Sequence, residues 1–330
     1  MPAFLKKIDP LILLIIAAVV VAIIAPAQGE FARVFKVLTN LAIALLFYLY
    51  GARLSPHEAL AGLKNWRLHL TIAAFTFVAY PFIGLLLRPV SALIPHELYL
   101  GILFLTLVPS TVNSSVTFTS IAKGNVAGAI VAASMSNLVG VVLTPLLIAV
   151  CMGGEETADG GIHIDASVIG EIALLLLLPF ALGQLTRRWV KDFAANKGTK
   201  IVDRGSITMV VYSAFSSGVA AGIWSEIGVG ELAFLVVFAI TLVAVMLWLT
   251  RMISTNLGFS RGDVIATQFC GSKKSLATGV PMASVIFGTG GTLGLIILPL
   301  MIYHQAQLMM CSALASRYAT CSATGADAGH

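Results

Sequence analysis

The sequence predicts an all-α polytopic membrane protein with ten transmembrane helices arranged as two inverted five-helix repeats. Three observations predict it. The 330 residues are 58% hydrophobic and 11% charged, with a mean hydropathy of +0.96. A globular domain carries about 25% charged residues, so this chain lacks the charge to coat a water-facing surface. Its apolar residues fall in runs near the roughly 20 that a helix needs to cross the hydrocarbon layer. Its basic residues sort to alternate loops, as the topology of a membrane protein demands.

The ten spans are Leu11 to Pro26, Leu38 to Gly51, Leu68 to Leu87, Leu98 to Ala122 and Val126 to Met152, then Val168 to Thr186, Ser206 to Trp224, Leu232 to Thr250, Val264 to Phe287 and Leu293 to Ser316. Lys6 and Lys7 resemble the charged start of a signal peptide, but nine further spans follow, so the first is an anchor rather than a cleaved leader. With both termini cytoplasmic, 15 of the 20 Lys and Arg residues face the cytoplasm and only Arg33, Lys36 and Arg88 face the other side. Adding or deleting one span would scramble this partition. The expected location is a cell (inner) membrane. The basic pI of 9.1 therefore reflects topology and not nucleic-acid binding. Cys151, Cys270, Cys311 and Cys321 have no paired spacing and read as small apolar packing residues.

The two remaining basic residues, Lys273 and Lys274, lie inside span nine, in Gln268-Phe-Cys-Gly-Ser-Lys-Lys-Ser-Leu-Ala-Thr-Gly-Val-Pro281. Lys273 is about 15–18 Å from the cytoplasmic edge at Arg261, near the midplane. A lysine there costs several kcal/mol unless hydrated, paired or deprotonated, which makes it a functional-site residue by default. Adjacent helical residues point about 100° apart, so at most one lysine faces a given pocket. Gly271, Gly279 and Pro281 indicate an interrupted helix.

Span four carries a matching anomaly, Pro109-Ser-Thr-Val-Asn-Ser-Ser-Val-Thr-Phe-Thr-Ser120. Most of these residues are hydroxyl or amide side chains, which can re-satisfy freed backbone groups or coordinate a cation. Asn113 lies about 15 Å from the edge at Lys123. Spans four and nine are corresponding members of five-span halves, and an odd number forces the halves into opposite orientation. Pro145 and Pro299 echo each other in spans five and ten. Paired interruptions of this kind point to a transporter binding site at a repeat interface. The repeats divide the chain at 1–152 and 153–330.

The layout, the proline-headed polar break in span four and the Gly124-Asn125-Val126-Ala127 turn into span five resemble the bile acid:sodium symporter family over nearly the whole chain. The lysine-bearing ninth span looks most like the branch containing the seventh member of solute carrier family 10. The resemblance implies a panel domain of spans one, two, six and seven and a core domain of the other six. Spans four and nine would cross at their unwound centres. It implies inward movement of an organic anion with sodium by alternating access. Sodium ligands would be Asn113, Ser114 and Ser115, with Ser134 or Asn137 from span five. Span nine departs from the family: Gln268 stands where an acid is expected, and Ser272 to Lys274 fall around the family's glutamine. The lost carboxylate weakens a sodium site, while an ammonium can replace the ion's charge outright.

The leading expectation is thus a secondary transporter in which Lys273 or Lys274 neutralises a small organic anion or stands in for sodium. Coupling is to sodium, held by spans four and five, or to protons exchanged on a desolvated lysine. His304 is either a second proton handler or a hydrogen-bonded packing residue. The alternative is a non-transporting membrane regulator, for example of calcium homeostasis, that keeps the transporter fold. An enzyme is excluded by the lack of paired intramembrane Asp, His-Glu-x-x-His or Gly-x-Ser-x-Gly motifs, and no Gly-rich phosphate loop encodes ATP drive.

Overall fold

A computed structural model describes residues 10–53, 65–153, 156–157, 160–161, 173–222, 228–288 and 290–323. These are almost wholly helical, apart from a two-residue antiparallel pairing of Glu156–Thr157 with Gly160–Gly161. Among them, five runs are long and apolar enough to cross a membrane: Gly29–Arg53, Trp66–Ala92, Val126–Met152, Val229–Asn256 and Leu293–Thr320. Leu11–Ile24 and His96–Leu107 are shorter apolar helices. The chain divides into two compact units.

The first unit comprises Met1–Leu54, Gly153–Gly228 and Val280–Ile297. Its helices include α1 (Pro10–Ile24) and α2 (Gly29–Arg53). After the span-five helix come α8 (Leu178–Ala194), preceded by a π-helical turn over Ala173–Leu177, and α9 (Lys200–Ala220). The chain packs α2 on α8 and on α9, and α1 on α9. Small residues allow this closeness: Gly51 sits against the Phe180 carbonyl, and Gly183 sits reciprocally against the Tyr48 carbonyl. Tyr48 Oη and Thr186 Oγ1 share a hydrogen bond of 2.8 Å across the same interface. At its end Arg53 donates to the Ala194 carbonyl (2.8 Å), to Thr199 Oγ1 (2.9 Å) and to both oxygens of Asp203 (3.0 and 2.8 Å).

Two helix starts differ from expectation. The second span was expected to begin at Leu38, but its helix begins at Gly29, so Arg33 and Lys36 lie on helix rather than in a loop. The seventh was expected from Ser206, but its helix begins at Lys200, because the Arg53–Asp203 pair is made within its first turn. Hydropathy alone registers neither polar helical extension. The expected ends at Val168 and Trp224 lie outside the described residues.

The second unit comprises Ser55–Met152, Val229–Gly279 and Leu298–His330. Span three is α3 (Trp66–Ala74), a π-helical turn (Phe75–Ala79) and α4 (Tyr80–Leu86). The segment expected as span four is two helices, α5 (His96–Leu107) and α6 (Asn113–Ile121), followed by α7 (Val126–Met152). Then come α10 (Val229–Asn256) and α11 (Arg261–Gly271), followed by α12 (Leu276–Ile286) and α13 (Leu293–Ala323), of which residues 280–297 belong to the first unit. The segments expected as spans four and nine are thus both interrupted, over residues 108–112 and 272–275.

The Gly124-Asn125 turn is fixed by its own chemistry. Lys123 takes a positive φ of 56°, Gly124 N–H reaches back to the Thr119 carbonyl (2.8 Å), and Asn125 Oδ1 accepts from Gly128 N–H (2.8 Å). The Asn125 amide then donates to Asp263 Oδ1 (2.6 Å), tying the start of α7 to the start of α11.

Candidate functional site

The two breaks in the second unit exchange their backbone hydrogen bonds. Pro109 has no N–H, so α5 cannot continue, and its last carbonyls need other donors. Thr144 Oγ1 donates to Leu107 O (3.0 Å), while Ser110 N–H turns to Ser136 Oγ (3.0 Å). In the other break, Ser110 Oγ donates to Cys270 O (2.6 Å) and Ser115 Oγ to Phe269 O (3.2 Å). These two carbonyls are the ones that a continuous helix would offer to Lys274 and Lys273 N–H. Ser275 N–H donates across to Pro109 O (2.8 Å), so the segments cross main chain to main chain. Asn137 braces the crossing: its amide donates to Ser110 O (2.8 Å) and Ala133 O (3.0 Å), and its Oδ1 accepts from Thr278 Oγ1 (2.8 Å).

Lys274 sits at the centre. Its Nζ donates to three main-chain carbonyls, Thr76 O (2.9 Å), Thr106 O (2.8 Å) and Val108 O (2.8 Å), and lies 4.2 Å from the centroid of the Tyr80 ring. An ammonium has three hydrogens to give, and all three are used. Each carbonyl is available for a local reason. Thr106 and Val108 lie at the end that Pro109 imposes on α5, where the helix dipole is negative. Thr76 O has lost its α-helical donor because Tyr80 N–H bonds Phe75 O in the π-helical register, and Pro81 has no N–H to replace it.

The rest of the break is equally closed. Gln307 clamps the Lys274 peptide, with Oε1 accepting from Lys274 N–H (2.9 Å) and Nε2 donating to Lys274 O (2.9 Å). The same Nε2 lies 2.8 Å from His304 Nδ1. Tyr80 and Tyr303 hydroxyls reach the Ser272 carbonyl at 2.7 and 2.8 Å and also meet each other.

Lys273 is different. It is as fully buried as Lys274, yet its Nζ has no hydrogen-bond partner. It lies 3.9 Å from the centroid of the Phe118 ring and 5.6 Å from that of Phe269. Both lysines lie in the non-helical break rather than on a helix, and one meets oxygens while the other meets rings.

The remaining expected residues divide. Asn113 is exposed at the start of α6, and Ser114 is half-buried, its Oγ 3.3 Å from Thr111 Oγ1. Ser115, Asn137 and Ser272 belong to the crossing as described. Ser134 is half-buried on α7, whereas Ser136, two residues on and so about 200° around the helix, makes the bond to the break. Gln268 is engaged at both ends, donating to Leu247 O (2.9 Å) and accepting from Tyr318 Oη (2.8 Å). His304 is buried beside Gln307. Sequence reasoning missed Thr76, Tyr80, Ser136, Tyr303 and Gln307. Tyr80-Pro81 carried a signal, since a proline inside an apolar span frees a carbonyl.

The model of the SBF-like CPA transporter family matches residues 9–320. The chain is 49% identical to "Uncharacterized protein PA2026" of Pseudomonas aeruginosa, covering 96% of this chain and 94% of that protein. It is 44% identical to "Putative symporter YfeH" of Escherichia coli, covering 95% of this chain and 93% of that one. It is 30% identical to "Sodium/bile acid cotransporter 7" of Mus musculus, covering 91% and 89%.

Proposed function

Because the chain belongs to the SBF-like CPA transporter family and is an integral membrane transporter rather than an enzyme, we propose that it moves a small organic anion by alternating access, with Lys274 as a built-in replacement for a bound cation. In this reading residues 1–152 and 153–330 are inverted repeats. Spans one, two, six and seven form the panel, the other six form the core, and both termini are cytoplasmic.

The observation that carries the proposal is the three-carbonyl seat of the Lys274 ammonium. Carbonyls released by unwound helices are the groups with which transporters coordinate a sodium ion. Here a tethered –NH₃⁺ occupies them and gives each a charge-assisted bond of about 1.5–3 kcal/mol. Three such bonds offset the several kcal/mol of burying the charge at the midplane. In this reading the site supplies its own positive charge through the tethered ammonium. Gln268, the other expected ligand, has its amide turned to protein partners. The anion's own contact is the start of α6: exposed Asn113, with Thr111 and Ser114 beside it, at the positive end of a nine-residue helix.

Uptake by proteoliposomes tests this, with taurocholate as the first probe because relatives are named bile acid cotransporters. Replacing all sodium by potassium is expected to leave the uptake rate unchanged within about twofold. A tenfold or greater loss without sodium would overturn the tethered-cation reading.

A further inference from the structure

Two adjacent lysines, both fully buried, have opposite surroundings. Lys274 Nζ has spent its three hydrogens on carbonyls and cannot give one up without orphaning an oxygen. Lys273 Nζ has no oxygen or nitrogen partner at all. A ring face at 3.9 Å holds an ammonium by about 2 kcal/mol when desolvated, short of the several kcal/mol lost on leaving water. The titratable groups that act on it are the Cys311 thiol from α13 and the Cys270 thiol from α11, and no Asp, Glu or His among the described residues does so. α6 brings Phe118 to it, and α11 brings Phe269. Ring faces alone, with no hydrogen-bond acceptor for Nζ, hold a proton there only weakly.

We infer that Lys273 Nζ is the proton-exchange site that couples transport, while Lys274 is the fixed charge. The inference rests on the transporter reading above. The step is R–NH₂ + H⁺ giving R–NH₃⁺: the amine lone pair takes a proton from water wherever the break is wetted. The ammonium keeps that proton while the cargo is carried across and gives it to water on the far side, so the amine is neutral when the empty segment closes onto Phe118 and Phe269 as seen here. No bond other than N–H changes and no co-reactant is needed. The cargo then moves with a proton, and its negative charge is balanced.

The test uses the full chain in lipid nanodiscs with nitrogen-15 lysine, and Lys273→Met to assign the signal. One Nζ resonance, missing in Lys273→Met, is expected to change protonation across the neutral range. A Lys273 signal that stays ammonium throughout would overturn the inference. Because Lys273 Nζ has no partner to orphan, Lys273→Met should keep the parent's thermal midpoint, which separates its effect from misfolding. In proteoliposomes, an acid-outside gradient of about one pH unit should drive about tenfold accumulation of taurocholate, since each balances about 1.4 kcal/mol. Lys273→Met should lose that drive. Uptake by the parent that ignores the gradient would overturn coupling at Lys273. A parent that takes up no taurocholate under any gradient would instead sink the substrate reading, and the nitrogen titration would still decide the proton site.

Discussion

Lys274→Met is expected to lower the thermal midpoint of the detergent-purified protein sharply and to abolish uptake. Methionine fills much of the volume but donates nothing, so Thr76 O, Thr106 O and Val108 O lose their shared donor. Each orphaned buried carbonyl costs about 1–3 kcal/mol, and hydrogen bonds within membranes have averaged nearer 0.6. Removing the cost of the buried charge offsets part of this. The net loss is about 2–4 kcal/mol, and it falls on both breaks because one amine ties the end of α5 to span three. The same substitution one residue earlier, at Lys273, should leave the midpoint in place. That contrast between neighbours is the sharpest consequence of the geometry, since hydropathy treats the two lysines alike. Differential scanning fluorimetry of the two variants side by side measures it, and equal shifts would contradict it.

Gly51→Val and Gly183→Val should each prevent accumulation of folded protein. A Cβ on Gly51 would run into the Phe180 carbonyl, and one on Gly183 into the Tyr48 carbonyl. Both obstacles are main chain in the middle of helices and cannot swing away. α2 and α8 would have to separate, breaking the Tyr48–Thr186 bond and the Arg53–Ala194 bond with them. Losses above about 4 kcal/mol are expected for steric conflicts of this kind, comparable with the whole stability of many domains. Gly205→Ala in α9 is the control. Its Cβ would meet nothing within 4 Å, so it should stabilise by up to about 1 kcal/mol. Monodispersity on size-exclusion chromatography and the yield of folded protein report both outcomes.

The fold was legible where the physics is one-dimensional. Span length follows from hydrocarbon thickness, and Pro109 and the Ser272-Lys273-Lys274 run marked the breaks because helix interruption and midplane charge are local facts. Polar ends of helices escaped. The second turn of α2 carries Arg33 and Lys36 and the first turn of α9 carries Lys200 and Asp203, which a hydropathy window scores as loop. In the site, the residues that supply main-chain carbonyls are invisible to a reading of side chains. Thr76 matters through its C=O, and only Pro81 hinted that this oxygen was free. Gln307 and Tyr303 were within sight of His304, but their partner is a peptide 33 residues or so away in sequence, and no spacing rule links them. Ser136 was displaced by Ser134 because the direction of α7 toward the break cannot be read without coordinates.

The claim that the Lys274 ammonium occupies the seat of a metal cation is tested most directly by sodium titration of thermal stability, parent against Lys274→Ala, at constant ionic strength with choline chloride as the reference salt. The parent's midpoint is expected to be the same in sodium and in choline. Lys274→Ala empties the three-carbonyl seat, so its lowered midpoint should rise with sodium and not with choline, following the mass action of a bound ion. A parent stabilised by sodium as strongly as the variant would show that the ion binds elsewhere and that the lysine is no substitute for it.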